Sequence, residues 1–149
     1  MPCSIGRGGI STVKIEGDGV TPAGTWHLTG GGWRADRLAR PATALPMKPF
    51  GPRDLWSDDS QHDGYNQPFR GVHPGFSHER LRRGDGLYDV VLFSDWNTKP
   101  PLPNKGSAIF VHCWKAARRP TAGCIAFARR DLLWIIERWQ QDFRIVVQP

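Results

Sequence analysis

Two side chains near the C-terminal end of the sequence could together perform nucleophilic chemistry: His112 and Cys124, which are joined by a short loop. A thiolate is the reactive form of cysteine, and a nearby imidazole can take the thiol proton and stabilise the resulting charge. The pair therefore predicts an acyl-transfer enzyme. A small buried cysteine and a hydrogen-bonded histidine, without catalysis, are the alternative interpretation, because both residues commonly occur in such roles.

The sequence around this pair predicts how it is positioned. The apolar run 108–111 is typical of a buried strand, which would present His112 at its end. Gly123 then predicts a tight turn before Cys124, in which backbone N–H groups could converge on a tetrahedral oxyanion. A metal site that combines the pair with Cys113 is disfavoured, because adjacent residues of a strand point to opposite faces.

The same stretch resembles the catalytic domain of the L,D-transpeptidases (YkuD type). The signature of that family is a histidine, a variable loop, then Ser/Thr-His-Gly-Cys and an apolar residue. The corresponding positions here are His112, Thr121, Ala122, Gly123, Cys124 and Ile125. The segments GRGGI, KIEGDGVTPAG, YNQPFRG, SHERL and GLYDVV, with the Asn97 that follows, look like the compact branch of the family. The resemblance extends over nearly the whole chain and implies one catalytic domain, residues 1–149.

The resemblance implies a reaction in two halves. Cys124 would attack an L,D peptide bond of a peptidoglycan stem peptide, expel the terminal D-residue and form a thioester. His112 would serve as the base, and the carbonyl of Cys113 would orient its ring. A side-chain amine of diaminopimelate on a neighbouring stem would resolve the thioester, giving a cross-link of the 3,3 type or, with another donor, the 1,3 type. Water as the acceptor would instead give a carboxypeptidase.

The sequence departs from the family pattern at two places that matter for the site. The histidine that usually precedes Gly-Cys is Ala122, and only 124 − 112 = 12 positions separate the base from the nucleophile. The polar residue that ends the signature is also absent, because Ala126 stands there. His78 is the candidate substitute for the missing imidazole, with a structural hydrogen bond as its alternative role.

Several other residues are candidates for binding the substrate. Arg118 and Arg119 lie in the loop between base and nucleophile, where a guanidinium could clamp a carboxylate in bidentate fashion. Tyr88 could donate to the developing oxyanion, although a half-buried strand tyrosine is the alternative. The remaining predicted substrate contacts are Tyr65, Asn66, Trp114, Thr121 and His78.

Local patterns predict a mainly β fold, a YkuD-like sandwich or barrel with long irregular loops and one covering helix. The expected strands are 11–16, 25–28, 87–94, 107–114 and 144–148. The segment 30–74 is rich in Gly, Pro and Asp and predicts a long irregular excursion. Asp131 is the expected N-cap of a helix that runs to about residue 142, with Trp134 and Trp139 in the core.

Composition limits the partners that we expect. The formal net charge is +6 and the pI about 9.7, which predicts attraction to polyanions. No nucleic-acid-binding motif accompanies the dispersed basic residues, so we expect no nucleic-acid partner, although a noncatalytic basic binding domain remains an alternative. We also expect a monomer without membrane insertion, cofactor or metal. The N-terminal residues do not form a signal peptide, so a periplasmic location is predicted from the substrate.

Overall fold

Strands dominate the computed structural model, which describes residues 1–149, and the mainly β prediction is confirmed. The strands are β1 (Cys3–Ser4), β2 (Ile10–Ser11), β3 (Thr21–Pro22), β4 (Gly24–Trp26), β5 (Leu28–Trp33), β6 (Met47–Pro49), β7 (Asp54–Ser57), β8 (Pro68–Arg70), β9 (His78–Arg80), β10 (Val90–Ser94), β11 (Phe110–Cys113), β12 (Ile125–Phe127) and β13 (Ile145–Val147). The one helix is α1 (Arg129–Glu137). It is too short and too polar to cross a bilayer.

A central six-stranded sheet with the order β1-β12-β11-β10-β5-β6 divides the core into two layers. Side chains alternate across a strand, so consecutive residues of β11 face opposite layers. Val111 and Cys113 face the layer that includes Leu132 and Ile136 of α1. Phe110 faces the second core layer, which includes Trp56 and Tyr88, and by the same alternation His112 points to that side. Burying one large apolar side chain stabilises the fold by roughly 1.5–3 kcal/mol, so both layers contribute.

The pairing of β11 with β12 brings the two chemically interesting residues together. These strands are parallel, with Val111 opposite Ile125 and His112 opposite Ala126. Cys124 immediately precedes β12 and therefore lies beside Phe110, at the start of the same ladder. A loop of about ten residues joins the strands, and its return beside β11 places Cys124 on the same side of the sheet as His112.

The segment 30–74 is not the irregular excursion that its composition predicts. It contains the end of β5 together with β6, β7 and β8. Glycines lower strand propensity, but in β5 they allow a close approach of neighbouring groups. A Cβ on Gly31 would lie 2.1 Å from the Val91 carbonyl oxygen, and one on Gly32 would lie 2.3 Å from the Phe50 ring. The glycines are therefore required by packing against β10 and against the second core layer.

The structure also changes the predicted start, end and core residues of the helix, which ends at Glu137 and not near residue 142. Ala128 flanks its first turn without a side-chain cap, and Asp131 is the third helical residue, so the expected N-cap is wrong. A carboxylate in the first turn still interacts favourably with the helix dipole. Trp134 is 50% exposed, which excludes it from the core, whereas Trp139 packs against the core layer beneath the helix. The strand predicted over 11–16 is limited to Ile10–Ser11.

A separate three-stranded sheet, with the order β8-β7-β9, lies over the second core layer. Trp56 of β7 packs on the rings of Phe93 and Phe110, with centroids 4.8 and 4.9 Å away. The antiparallel register places Glu79 of β9 opposite Trp56 and His78 opposite Ser57. Neighbouring residues of β9 therefore present their side chains to different surroundings.

Candidate active site

His112 and Cys124 line a common cavity of about 440 Å³. The cavity is bounded by His112 of β11, by the loop between β11 and β12 with Cys124 at its end, by Glu79 of β9 and by the segment before β10. Both side chains belong to buried residues, at 6% and 8% exposure, yet each reaches the cavity wall. A group that enters the cavity can therefore contact both the imidazole and the sulfur.

The His112 ring is held in a defined tautomer. Its Nδ1 lies 2.8 Å from the Cys113 carbonyl oxygen, which can only accept, so Nδ1 carries the proton. Its Nε2 is then left with a lone pair. Burial lowers the pKa of His112 below its usual value, more than the hydrogen bond to Cys113 raises it. The Tyr88 ring packs edge-on against the imidazole, with centroids 5.3 Å apart. A neutral, oriented imidazole of this kind is suited to accept a proton.

The Cys124 thiol is held as a protonated group in this state. Its Sγ donates to the Ala108 carbonyl oxygen at 3.1 Å and accepts from the Phe110 N–H at 3.3 Å. Burial, together with the nearby Glu79 carboxylate, raises the pKa of Cys124 to about 12. The thiolate is therefore not the resting form.

Threonine hydroxyls stabilise the turn before Cys124. Thr121 Oγ1 donates to the Cys124 carbonyl at 2.6 Å and accepts from the Gly123 N–H at 3.1 Å. Thr21 Oγ1 donates to the Gly123 carbonyl at 2.8 Å. The Gly123 N–H is thus already engaged and is not a free oxyanion donor. The Cys124 N–H has no acceptor within the protein, so it remains free to bind an oxyanion.

The second cysteine of the strand lies on the opposite side of the sheet. The Cys113 thiol approaches the Val90 carbonyl in the helix-facing core layer, and burial raises its pKa to about 11. Only its carbonyl takes part in the site, through His112. Nowhere in the chain do three histidine, cysteine or acidic side chains group closely enough to hold a metal ion.

Four predicted substrate contacts do line the cavity: Tyr88, Trp114, Arg119 and Thr121. Arg118 does not line it, although it adjoins Arg119 in the chain. It lies in the left-handed region with φ of 58°, and its side chain is exposed to solvent. Of the two arginines in this loop, only Arg119 is placed to contact a bound carboxylate.

Three predicted substrate contacts lie outside the cavity. The Tyr65 hydroxyl donates to Glu16, and neither residue lines the cavity. Asn66 is 1% exposed, and its amide is fully engaged in internal hydrogen bonds. His78 contacts the Phe76 carbonyl through Nδ1 at 2.8 Å and faces a separate small pocket. His78 therefore cannot replace the missing imidazole, whereas its neighbour Glu79 does reach the cavity.

Sequence reasoning missed a set of charged residues around the cavity: Arg7, Glu79, Arg83 and Lys115. The Tyr88 hydroxyl donates to Glu79, and the Arg83 guanidinium lies over the Tyr88 ring, 5.0 Å from its centroid. The segment SHERL was the available sequence signal for Glu79. Side chains alternate along a strand, so either His78 or Glu79 faces the site. Sequence alone does not show which.

Comparison with known protein families agrees with this geometry. A family model described as the L,D-transpeptidase catalytic domain (YkuD) matches residues 1–147 of the 149-residue chain. No curated protein and no solved structure matched the chain significantly. The family match covers the histidine strand, the loop, the Gly-Cys turn and the remaining segments alike. The chain therefore belongs to the L,D-transpeptidase (YkuD) catalytic-domain family, whose members act on peptidoglycan peptides.

Proposed function

We propose that the protein is a peptidoglycan L,D-transpeptidase that works through a thioester on Cys124, with His112 as the base. The observation that carries this proposal is the tautomer of His112. Because its Nδ1 is bound to the Cys113 carbonyl, Nε2 is the nitrogen that can exchange protons in the cavity shared with Cys124. A nucleophile beside an oriented base is the arrangement that covalent acyl transfer requires.

The first half-reaction forms one bond and breaks another. The Cys124 sulfur bonds to the stem-peptide carbonyl carbon, and its proton passes to His112. The C–N bond to the terminal D-residue then breaks, and His112 returns the proton to the leaving amine. The Cys124 N–H is the protein donor that we assign to the oxyanion formed between these events.

The raised pKa of Cys124 argues for proton transfer that is concerted with attack. With a pKa of about 12, a free thiolate near pH 7 would cost roughly 7 kcal/mol. That cost is avoided if the sulfur gives its proton to His112 while it bonds to carbon. Substrate entry would also have to separate the thiol from the Ala108 carbonyl.

The charge around the cavity supports a carboxylate-rich substrate. Arg7, Arg83, Lys115 and Arg119 all line it, and a cleft with one predominant sign of charge concentrates ligands of the opposite sign. Peptidoglycan stems carry carboxylates at their termini and side chains. Since that polymer lies outside the cytoplasmic membrane, we infer that the protein works in the periplasm, as a monomer.

Two measurements with purified muropeptides and a carbapenem test the proposal. The wild-type protein should convert stem peptides into dimers and should gain the mass of one β-lactam on Cys124. Both activities should disappear in Cys124→Ala and fall by at least 100-fold in His112→Ala. Cys3→Ser is the matched control, because Cys3 is an exposed free thiol on β1, away from the cavity.

The outcomes separate the alternatives. Shortened monomers without dimers would identify a carboxypeptidase that uses water as the acceptor. Retained activity in Cys124→Ala would exclude both enzymes and leave a binding domain. Sequencing of the dimer by mass spectrometry would then distinguish a 3,3 from a 1,3 cross-link.

A further inference from the structure

Glu79 is the one acidic residue that lines the cavity, beside four basic residues. The second half-reaction of the proposed function needs an amine as the acceptor, and an alkyl amine is a cation near neutral pH. Such a cation is repelled by a basic cavity, and it cannot attack a carbonyl until it loses a proton. The site therefore needs a group that attracts the ammonium and accepts its proton.

The geometry of Glu79 fits both tasks. Its Oε2 accepts the Tyr88 hydroxyl at 2.5 Å, which fixes the orientation of the carboxyl group. Its Oε1 has no hydrogen-bond partner in the protein, although this atom is not sealed from solvent. The carboxyl group is thus held at one oxygen and open at the other. Glu79 belongs to β9 in the three-stranded sheet, whereas His112 and Cys124 belong to β11 and to the turn before β12 in the six-stranded sheet.

The electrostatics agree with this geometry. Burial raises the pKa of Glu79 above its ordinary value, more than the hydrogen bond from Tyr88 lowers it, and this makes the carboxylate a stronger base. Glu79 and Cys124 line the same cavity, and the Glu79 carboxylate raises the pKa of Cys124.

We propose that Glu79 is a catalytic residue of the second half-reaction, which binds the acceptor ammonium through Oε1 and removes its proton. This inference rests on the proposed function, and it assigns the acceptor to the class of primary alkyl amines. The Tyr88 hydroxyl acts as a positioning group, because it touches Oε2 and not the amine.

The step balances as follows. One ammonium proton moves to Glu79, and the neutral amine nitrogen bonds to the thioester carbonyl carbon. The nitrogen loses a second proton to His112 as the C–S bond breaks, and His112 returns that proton to the Cys124 sulfur. The products are an amide, a neutral thiol and a protonated Glu79, which then releases its proton to solvent.

The test separates the two half-reactions in Glu79→Gln, which keeps the shape of the side chain and an acceptor for Tyr88. Thioester formation is followed by the mass of the acyl-protein with a carbapenem and with a donor peptide. Transfer is followed with two acceptors: a diaminopimelate-containing peptide, whose amine is charged, and hydroxylamine, which is uncharged near neutral pH. Glu137→Gln is the matched control, since Glu137 is an exposed carboxylate on α1 paired with Arg138.

We expect Glu79→Gln to lower transfer to the charged amine by about 100-fold, the lower end of general-base effects. Thioester formation should not fall, because loss of the Glu79 charge removes a contribution that raises the pKa of Cys124. Transfer to hydroxylamine should stay within about threefold of wild type, as should every activity of Glu137→Gln. Tyr88→Phe keeps the carboxylate and should retain a larger share of amine transfer than Glu79→Gln. An equal loss with both acceptors, or normal amine transfer in Glu79→Gln, would overturn the proposal.

The same measurements distinguish this inference from the proposed function. If the wild-type protein forms no thioester, the transpeptidase proposal fails and takes the role of Glu79 with it. If it forms the thioester and Glu79→Gln transfers the amine normally, only the role of Glu79 fails. Circular dichroism and thermal unfolding identify a variant that has lost its fold, in which case Tyr88→Phe and Glu79→Asp provide the comparison.

Discussion

Replacing Asn66 by alanine should destabilise the protein strongly, although this residue does not line the cavity. Its side-chain Oδ1 accepts from the Trp56 indole N–H and from the Ala108 N–H, both at 3.0 Å. Its Nδ2 donates to the carbonyls of Trp96 and Asn97 at 3.0 and 2.8 Å. One buried amide therefore ties the β7 sheet, the loop after β10 and the segment before β11 together.

The magnitude follows from which partners water can reach. Trp56 and Ala108 are 4% and 5% exposed, so the substitution leaves two buried donors unsatisfied, at about 1–3 kcal/mol each. The carbonyls of Trp96 and Asn97 belong to half-buried residues that water can reach, and they add little. Asn66 also has φ of 55°, where alanine costs roughly 1–2 kcal/mol. We expect a total loss of about 5 kcal/mol, a large part of the 5–15 kcal/mol typical of a folded domain.

Urea unfolding followed by tryptophan fluorescence measures this loss directly. Gln61→Ala is the control, because Gln61 is an exposed amide whose side chain makes no hydrogen bond, and its change should stay within about 0.5 kcal/mol. A loss below about 1 kcal/mol in Asn66→Ala would refute the assigned hydrogen-bond role.

Three further predictions concern the site itself. Burial lowers the pKa of His112, so the imidazole stays neutral at more acidic pH. In a pH profile of the acylation rate, the midpoint of the acid limb should therefore lie below about pH 6.5, the ordinary pKa of histidine. Gly123→Ala should lower the free energy of unfolding by about 1–3 kcal/mol in a urea titration, since its φ is 136° and its Cβ would lie 2.9 Å from the Val20 oxygen. Thr121→Val removes the hydroxyl that binds the Gly123 N–H and the Cys124 carbonyl, so single-turnover acylation should slow at least tenfold, with Thr121→Ser restoring most of the rate.

The local part of the site could be predicted from the sequence. A short apolar strand that ends in His112, followed by a Gly-Cys turn, is a local pattern, and its geometry depends on a few neighbouring residues. The same holds for the covering helix, whose apolar residues Leu132 and Ile136 recur with helical spacing. These features need no knowledge of which distant strands pair.

The long-range part of the site could not be predicted in this way. The sequence predicts a loop at the glycines of β5. These glycines allow β10 and Phe50 to approach closely, a contact that only the folded structure reveals. Asn66 lies in the segment that the sequence predicts to be irregular, and it is one of the predicted substrate contacts. It is instead buried under Trp56 and serves packing and hydrogen bonding. In both cases the deciding contact is far away in sequence.

The strand β9 shows why the missing imidazole is not simply supplied from elsewhere. His78 and Glu79 are adjacent, so a shift of one residue in the pairing of β9 with β7 would exchange the side chain that faces the cavity. The observed register selects the carboxylate. An imidazole there would add a neutral or positive group to a cavity already lined by four basic residues, whereas Glu79 offers the one negative charge. With Ala122 at the usual histidine position, the cavity is lined by one imidazole, that of His112, and by one carboxylate, that of Glu79. In the proposed mechanism, this carboxylate favours recognition of a cationic acceptor at the thioester.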